Sequence, residues 1–299
     1  MKIAASTKVM ITGASGSVGW VLSKALAGRC AVSGTYASHP YVPEGVTGVK
    51  IDLRDQWAVK EHLEHHRPDV IVHLAAITQP DRCEENPQLA FRVNFEATSE
   101  IARVAEAIGA RLVCASSDLI FDGAKGDYTE EDVPRPLSIY GMSKLRAEEA
   151  ALELSSGALV VRSSLIYGFG SPVSKTFLSR VLEKLAQGEK MQLFTDQMRN
   201  PVLIDDLAEA VIIAIEKDLS GIYHIGGPEA VNRHEFGRKV CRIFGYDESL
   251  LVPISMRDFS YDAKRPLDST LNTEKYTGAT GFVPRPMDAG LKEAKESTR

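Results

Sequence analysis

The stretch "KVMITGASGSVGW", residues 8 to 20, constrains the fold more than any other. An apolar, β-rich run ends in Gly13, Gly16 and Gly19, spaced G-x-x-G-x-x-G, and an amphipathic helical pattern follows at once. Glycines at a strand-to-helix turn let the backbone approach a pyrophosphate placed at the helix N-terminus. Ser15, Ser17 and Val18 lie in the same turn and are expected to share the contact with a bound dinucleotide.

The rest of the first half keeps that rhythm. The strand-like run "CAVSGTY" is followed by a helix through "QWAVKEHLEHH", then "DVIVHLAA", then one long helix over "ENPQLAFRVNFEATSEIARVAEAIG". The strand "ARLVCASS", a helix containing Tyr140 and the strand "GALVVRSSLIYG" complete the series. Apolar strands separated by helices indicate an α/β fold, a Rossmann-type doubly wound parallel sheet covered on both faces. After residue 170 the pattern becomes irregular. The expected organisation is a dinucleotide-binding domain over residues 1–168, to which 200–225 return, and a smaller interleaved substrate-binding lobe over 169–299.

Composition removes several function classes. The chain has 299 residues, 44% hydrophobic and 25% charged, enough for one large core or two closely joined subdomains. A net charge of −5 without blocks of Lys or Arg argues against a nucleic-acid partner. No apolar run reaches the ~18 residues of a membrane span, and the N-terminus lacks the pattern of a secretory signal. Cys30, Cys83, Cys114 and Cys241 form no C-x-x-C pair, which favours a reducing compartment, the cytoplasm, over a zinc or disulfide framework. His62 and His66 have a metal-compatible spacing but no third ligand nearby, so no metal is expected. Cys83, in "QPDRCEENP", reads either as a reactive thiol or as part of a loop entering the next helix.

The end of the second strand bears on the cofactor. "SGTYASH" carries no acidic residue to hydrogen-bond a free ribose 2′-hydroxyl, which favours NADP(H), with NAD(H) as the alternative. Beside Tyr36, Ser38 and His39 are either partners of a 2′-phosphate or ordinary loop residues. Asp52, which precedes Leu53 in "IDLRD", either meets the adenine edge or caps the next helix.

"SIYGMSK" places Tyr140 and Lys144 four positions apart. On a helix they share one face, with Cβ atoms roughly 6 Å apart, and the ammonium is expected to lower a phenol pKa that is ordinarily about 10.

The glycine triplet, "HLAAIT", "VNFEAT", "SSDLIFDG", "YGMSK" and "RSSLIYG" occur in an order that resembles the extended short-chain dehydrogenase/reductases. Within these the chain resembles the dTDP-4-dehydrorhamnose reductase family, and "DQMRNPVLIDDLA" with "RPLDSTLNTEK" carries the likeness over nearly the whole length. The resemblance implies hydride transfer from a nicotinamide to the C4 carbonyl of a nucleotide-linked keto sugar, with Tyr140 as proton donor. It gives Lys144 two tasks, keeping that tyrosine acidic and holding the nicotinamide ribose, and it makes Ser117 the residue that holds the substrate oxygen. Neighbours in a strand face opposite sides, so only one of Ser116 and Ser117 reaches the substrate. Ala75 and Ala76 are implied at the cofactor, and Asp118, Leu165, Asn200 and Arg265 at the sugar nucleotide. Asn94 is either a packing residue or a catalytic one.

Two positions depart from the family pattern. Leu119 and Leu165 stand where the family carries aromatic residues against the sugar, so a different sugar is expected. Related 4,6-dehydratases have a glutamate at the position of Leu119, so dehydration is not. The resemblance also admits an epimerase with tightly held NAD, and a non-catalytic subunit like the regulatory one of methionine adenosyltransferase. A homodimer is the expected assembly of the reductase.

Overall fold

A computed structural model describes residues 1–260 and 262–297. The first half of the chain supplies β1 (Lys8–Thr12), α1 (Ser17–Leu26), β2 (Ala31–Tyr36), β3 (Val46–Lys50), α2 (Gln56–His66), β4 (Val70–His73), α3 (Pro80–Glu85), α4 (Pro87–Phe91), α5 (Ala97–Ile108), β5 (Arg111–Ser117) and α6 (Ile139–Leu154). Next come β6 (Leu159–Ser163), β7 (Ile166–Tyr167), α7 (Phe177–Ala186), β8 (Met191–Phe194), β9 (Met198–Arg199), β10 (Val202–Leu203), α8 (Ile204–Glu216) and β11 (Gly221–Ile225). The chain ends with β12 (Val231–Asn232), α9 (Arg233–Phe244), β13 (Leu251–Ile254), α10 (Glu274–Thr280) and α11 (Met287–Glu296).

Seven strands form one parallel sheet in the order β3-β2-β1-β4-β5-β6-β11. The order reverses between β1 and β4, and a sheet wound in both directions opens a crevice at the carboxyl ends of its strands there. Alternation along each strand separates two cores. Val9, Ile11, Val72 and Val161 face α1 and α8, where they meet Leu22, Leu26, Val211 and Ile215. Met10, Ile71, Leu112 and Val160 face the opposite way, onto Val59 and Leu63 of α2, Ile101 of α5 and Ala151 of α6.

The later segments are shared between two bodies. Tyr167, Leu178, Val181, Leu193, Phe236 and Leu291 build a separate core flanked by three two-stranded pairings. Yet α8 and β11 pack with the large sheet, as does Tyr276 of α10, whose hydroxyl donates to the Ala210 carbonyl at 2.8 Å.

The long helix expected around residues 85–109 is interrupted. Asn86 caps α4 by accepting from the Leu89 N–H at 3.0 Å, and a wide π-helical turn over Arg92–Glu96 separates α4 from α5. Such turns insert an extra residue and often mark functional places. Here the turn carries Asn94. "QPDRCEENP" also forms a helix, α3, and not a loop. Among the described residues no helix is long and apolar enough to cross a membrane, and no three ligating side chains gather to hold a metal.

Candidate functional site

The glycine turn sits at the crevice, directly after β1. Gly13 has φ +70°, and a Cβ there would lie 2.9 Å from the Ala75 Cα. A Cβ on Gly19 would lie 2.3 Å from the Gly13 carbonyl oxygen, so both positions need glycine. Gly16 begins α1 without a side-chain cap, which leaves the first N–H groups of the helix open to an anion. Ala75 and Ala76 are half-buried on the facing loop, and Leu53 is buried. These features fit the diphosphate of a dinucleotide.

A buried chain of hydrogen bonds fixes that loop. Thr98 donates to the Asn94 carbonyl at 2.6 Å, so its oxygen accepts from His73 Nε2–H at 3.0 Å. His73 Nδ1 then accepts from the Thr12 hydroxyl at 2.7 Å, while the N–H groups of Leu74 and Ala75 donate to the Thr12 oxygen at 3.1 and 3.2 Å. Burial pushes His73 down to about 3, helped by the charge of Lys144.

Tyr140 and Lys144 lie on α6, one turn apart, at 7% and 5% exposure. The Ser117 hydroxyl, at the end of β5, donates to Asp118 and accepts from the Leu119 N–H at 3.2 Å each, close enough to the Tyr140 phenol to favour its ionised form. Ser116 faces the other way and donates to Glu148, inside a buried group that holds α6 against the sheet. Glu148 pairs there with Arg162 at 2.8 Å, and Arg162 reaches His224 at 3.3 Å. Asn94 clamps the opposite side. It accepts from the Ile77 N–H at 2.8 Å and donates to the Ile77 carbonyl and to Ser143, so its amide serves positioning.

One electrostatic expectation is overturned. Burial raises the Tyr140 phenol well above its ordinary value, and the neighbouring Ser117 hydroxyl opposes this only in part. A phenolate removed from water loses more than a neighbouring cation returns. Lys144 instead acts on His73 and Cys114, beneath the carboxyl ends of β4 and β5.

Several other expected contacts are placed differently. The Asp118 carboxylate is buried and taken up by Arg199 Nε at 3.0 Å, by Ser269 and by Ser117 at 3.2 Å. Asn200 is consumed as well: its amide donates to the carbonyls of Gly227 and Leu271 and accepts from the Leu271 N–H. Arg265 forms a double hydrogen bond with Asp81. Asp52 is paired with Arg54, and the cap of α2 is Asp55, which accepts from the Ala58 N–H at 3.0 Å. Burial raises the Cys83 thiol to about 11, which opposes a reactive thiolate. Leu119 packs with Tyr140, Cys83 and Ile77, whereas Leu165 belongs to the separate core of the second lobe.

Sequence reasoning missed the partners of these groups. Arg199 lies within a quoted motif, yet nothing local shows that it neutralises Asp118. Asp52, Arg54, Asp55, Gln56, Gln88, Arg92 and Glu96 line an open polar cleft of ≈ 810 Å³ between the start of α2 and the α4–π-helical segment.

Comparison with known proteins adds independent findings. Residues 7–299 match the family model of the RmlD substrate binding domain. A probable low-salt glycan biosynthesis reductase of Haloferax volcanii is 32% identical over 276 residues, covering 91% of each chain. Methionine adenosyltransferase 2 subunit beta of Rattus norvegicus is 31% identical over 298 residues, covering 97% of this chain and 87% of the relative. The solved dTDP-4-dehydrorhamnose reductase of Bacillus anthracis, in complex with NADP, superposes with a TM-score of 0.84 at 26% identity, covering 98% and 99%.

Proposed function

The chain belongs to the RmlD substrate binding domain family, and we propose that within it the protein is an NADP(H)-dependent reductase of a nucleotide-linked 4-keto sugar. The observation that carries this reading is the buried Ser117–Tyr140 hydroxyl pair, one helical turn from Lys144, at the carboxyl edge of the sheet. Gly13, Ser15, Gly16, Ser17 and Val18 would hold the diphosphate, with Tyr36, Ser38, Asp52 and Leu53 towards the adenosine and Ala75 and Ala76 opposite Gly13. The bound nicotinamide supplies a hydride to the carbonyl carbon. With substrate bound, the Ser117 hydroxyl would turn from Asp118 to donate to the carbonyl oxygen, and Tyr140 would give that oxygen its proton. A phenol raised by burial is fully protonated at neutral pH, as a proton donor must be. Lys144, one helical turn along α6, would hold the nicotinamide ribose beside that phenol.

The Asp118–Arg199 pair supports reduction over dehydration. A carboxylate held by a buried guanidinium and two hydroxyls is a structural anion that sets the Ser117 hydroxyl, not a free acid. The sugar carbonyl would lie against Ser117 and Tyr140 with Leu119 beside them, and Leu165 would meet the sugar from the second lobe.

The similarity to methionine adenosyltransferase 2 subunit beta favours a second reading, a cofactor-bound regulatory subunit. One experiment separates the two: a panel of nucleotide-linked 4-keto sugars, monitored for loss of nicotinamide absorbance. Turnover on any member supports the reductase. Cofactor binding without turnover on the whole panel supports the subunit.

A further inference from the structure

We propose that Lys50 is the residue that recognises the 2′-phosphate of NADP(H), an inference that rests on the cofactor reading above. The loop after β2 offers that phosphate no cation, only Ser38 and His39. The strand beside it does.

In the sheet, β3 flanks β2 in parallel with Tyr36 opposite Lys50, and the Ile51 N–H donates to the Tyr36 carbonyl at 2.9 Å. Register partners on adjacent parallel strands point to the same face, about 4.8 Å apart. That face is the one bearing the glycine turn. A Cβ on Gly34, two residues before Tyr36, would meet the Ala14 Cβ at 2.5 Å, and the Ala14 N–H donates to the Thr35 carbonyl at 2.9 Å. The Tyr36 ring leans over Gly48, 3.4 Å from a Cβ placed there, so the Lys50 stem is the next one along the same row.

Lys50 is exposed and makes no ion pair among the described residues. The nearby arginine, Arg54, is already bound to Asp52 through both carboxylate oxygens. A dinucleotide with its diphosphate at α1 places its adenosine ribose at the end of β2. Lys50 on β3 and Ser38 in the bend after β2 then flank the 2′ position, with Ser15 on the side of the turn. An exposed lysine on an edge strand also guards against strand pairing, and the test separates the two roles.

The full chain and its Lys50→Ala variant are titrated calorimetrically with ADP-ribose and with its 2′-phosphate, two probes that lack the nicotinamide. A charge-assisted hydrogen bond predicts that Lys50→Ala weakens the 2′-phosphate probe about tenfold or more and leaves ADP-ribose unchanged. Lys50→Glu should weaken it further, and raised salt should narrow the difference. Equal affinities of wild type and Lys50→Ala for the 2′-phosphate probe, or equal losses for both probes, would overturn the proposal. A wild type that binds neither probe overturns the cofactor reading itself, a separate result.

Discussion

Asp81, in the first turn of α3, and Arg265, 184 positions later, are joined by hydrogen bonds of 3.1 and 2.7 Å from the two guanidinium nitrogens to the two carboxylate oxygens. The pair ties the wall of the crevice to the segment that returns from the second lobe. The Ala263 N–H also donates to Asp81, and the guanidinium holds this carboxyl below its usual range. Arg265 → Met should change stability by no more than about 1 kcal/mol, since both groups are partly solvated. If the guanidinium also meets a substrate phosphate, KM for the nucleotide sugar should rise about tenfold. Thermal melts and steady-state kinetics check both. A large loss of Tm with unchanged KM would make Arg265 a structural residue only.

Tyr140→Phe removes one hydroxyl and little volume, so the fold and the cofactor affinity should persist. Turnover should fall about 10²–10⁴-fold, the usual share of a general acid. Single-turnover kinetics on a substrate from the panel checks this, and a loss below about tenfold would place proton delivery elsewhere. Lys144→Met should also weaken cofactor binding, read by calorimetry.

Leu119 and Leu165 belong to separate apolar clusters, so their effects on sugar choice should be independent. We expect dTDP-4-dehydrorhamnose to be a poor substrate, because neither leucine offers the hydroxyl or indole N–H of an aromatic. Leu119→Tyr and Leu165→Trp should each improve kcat/KM for it, and the double variant should multiply the two gains to within about 0.5 kcal/mol. A wild type that already reduces this sugar as well as any other refutes the specificity argument.

His73 and His224 are both pushed down to about 3, first by burial and then by the charges of Lys144 and Arg162. In the unfolded chain a histidine titrates near 6.5, so the unfolded state binds protons more readily. The stabilising contribution is complete above about 6.5 and is lost as pH falls from there towards 3. Unfolding midpoints measured from about pH 8 to about pH 5 should therefore decline, and less steeply in His224→Gln than in the wild type. Parallel slopes would remove His224 from this account.

What the sequence by itself determined is local: the glycine turn, the alternation that makes the parallel sheet, and the Tyr140–Lys144 spacing on one helix. Each follows from steric and periodic rules that act over a few residues. Strand alternation showed that only one of Ser116 and Ser117 can face the crevice, and the family resemblance, not the alternation, singled out Ser117. What only the tertiary structure decided is which groups are already occupied. Asp118, Asn200 and Arg265 read as free ligands in the chain, yet each is matched by Arg199, Leu271 or Asp81 from a distant segment. The rise of the Tyr140 phenol likewise needs the full burial of its ring, and the place of Lys50 beside Tyr36 needs the pairing of β2 with β3. Register, burial and long-range pairing emerge from packing, which no local pattern encodes.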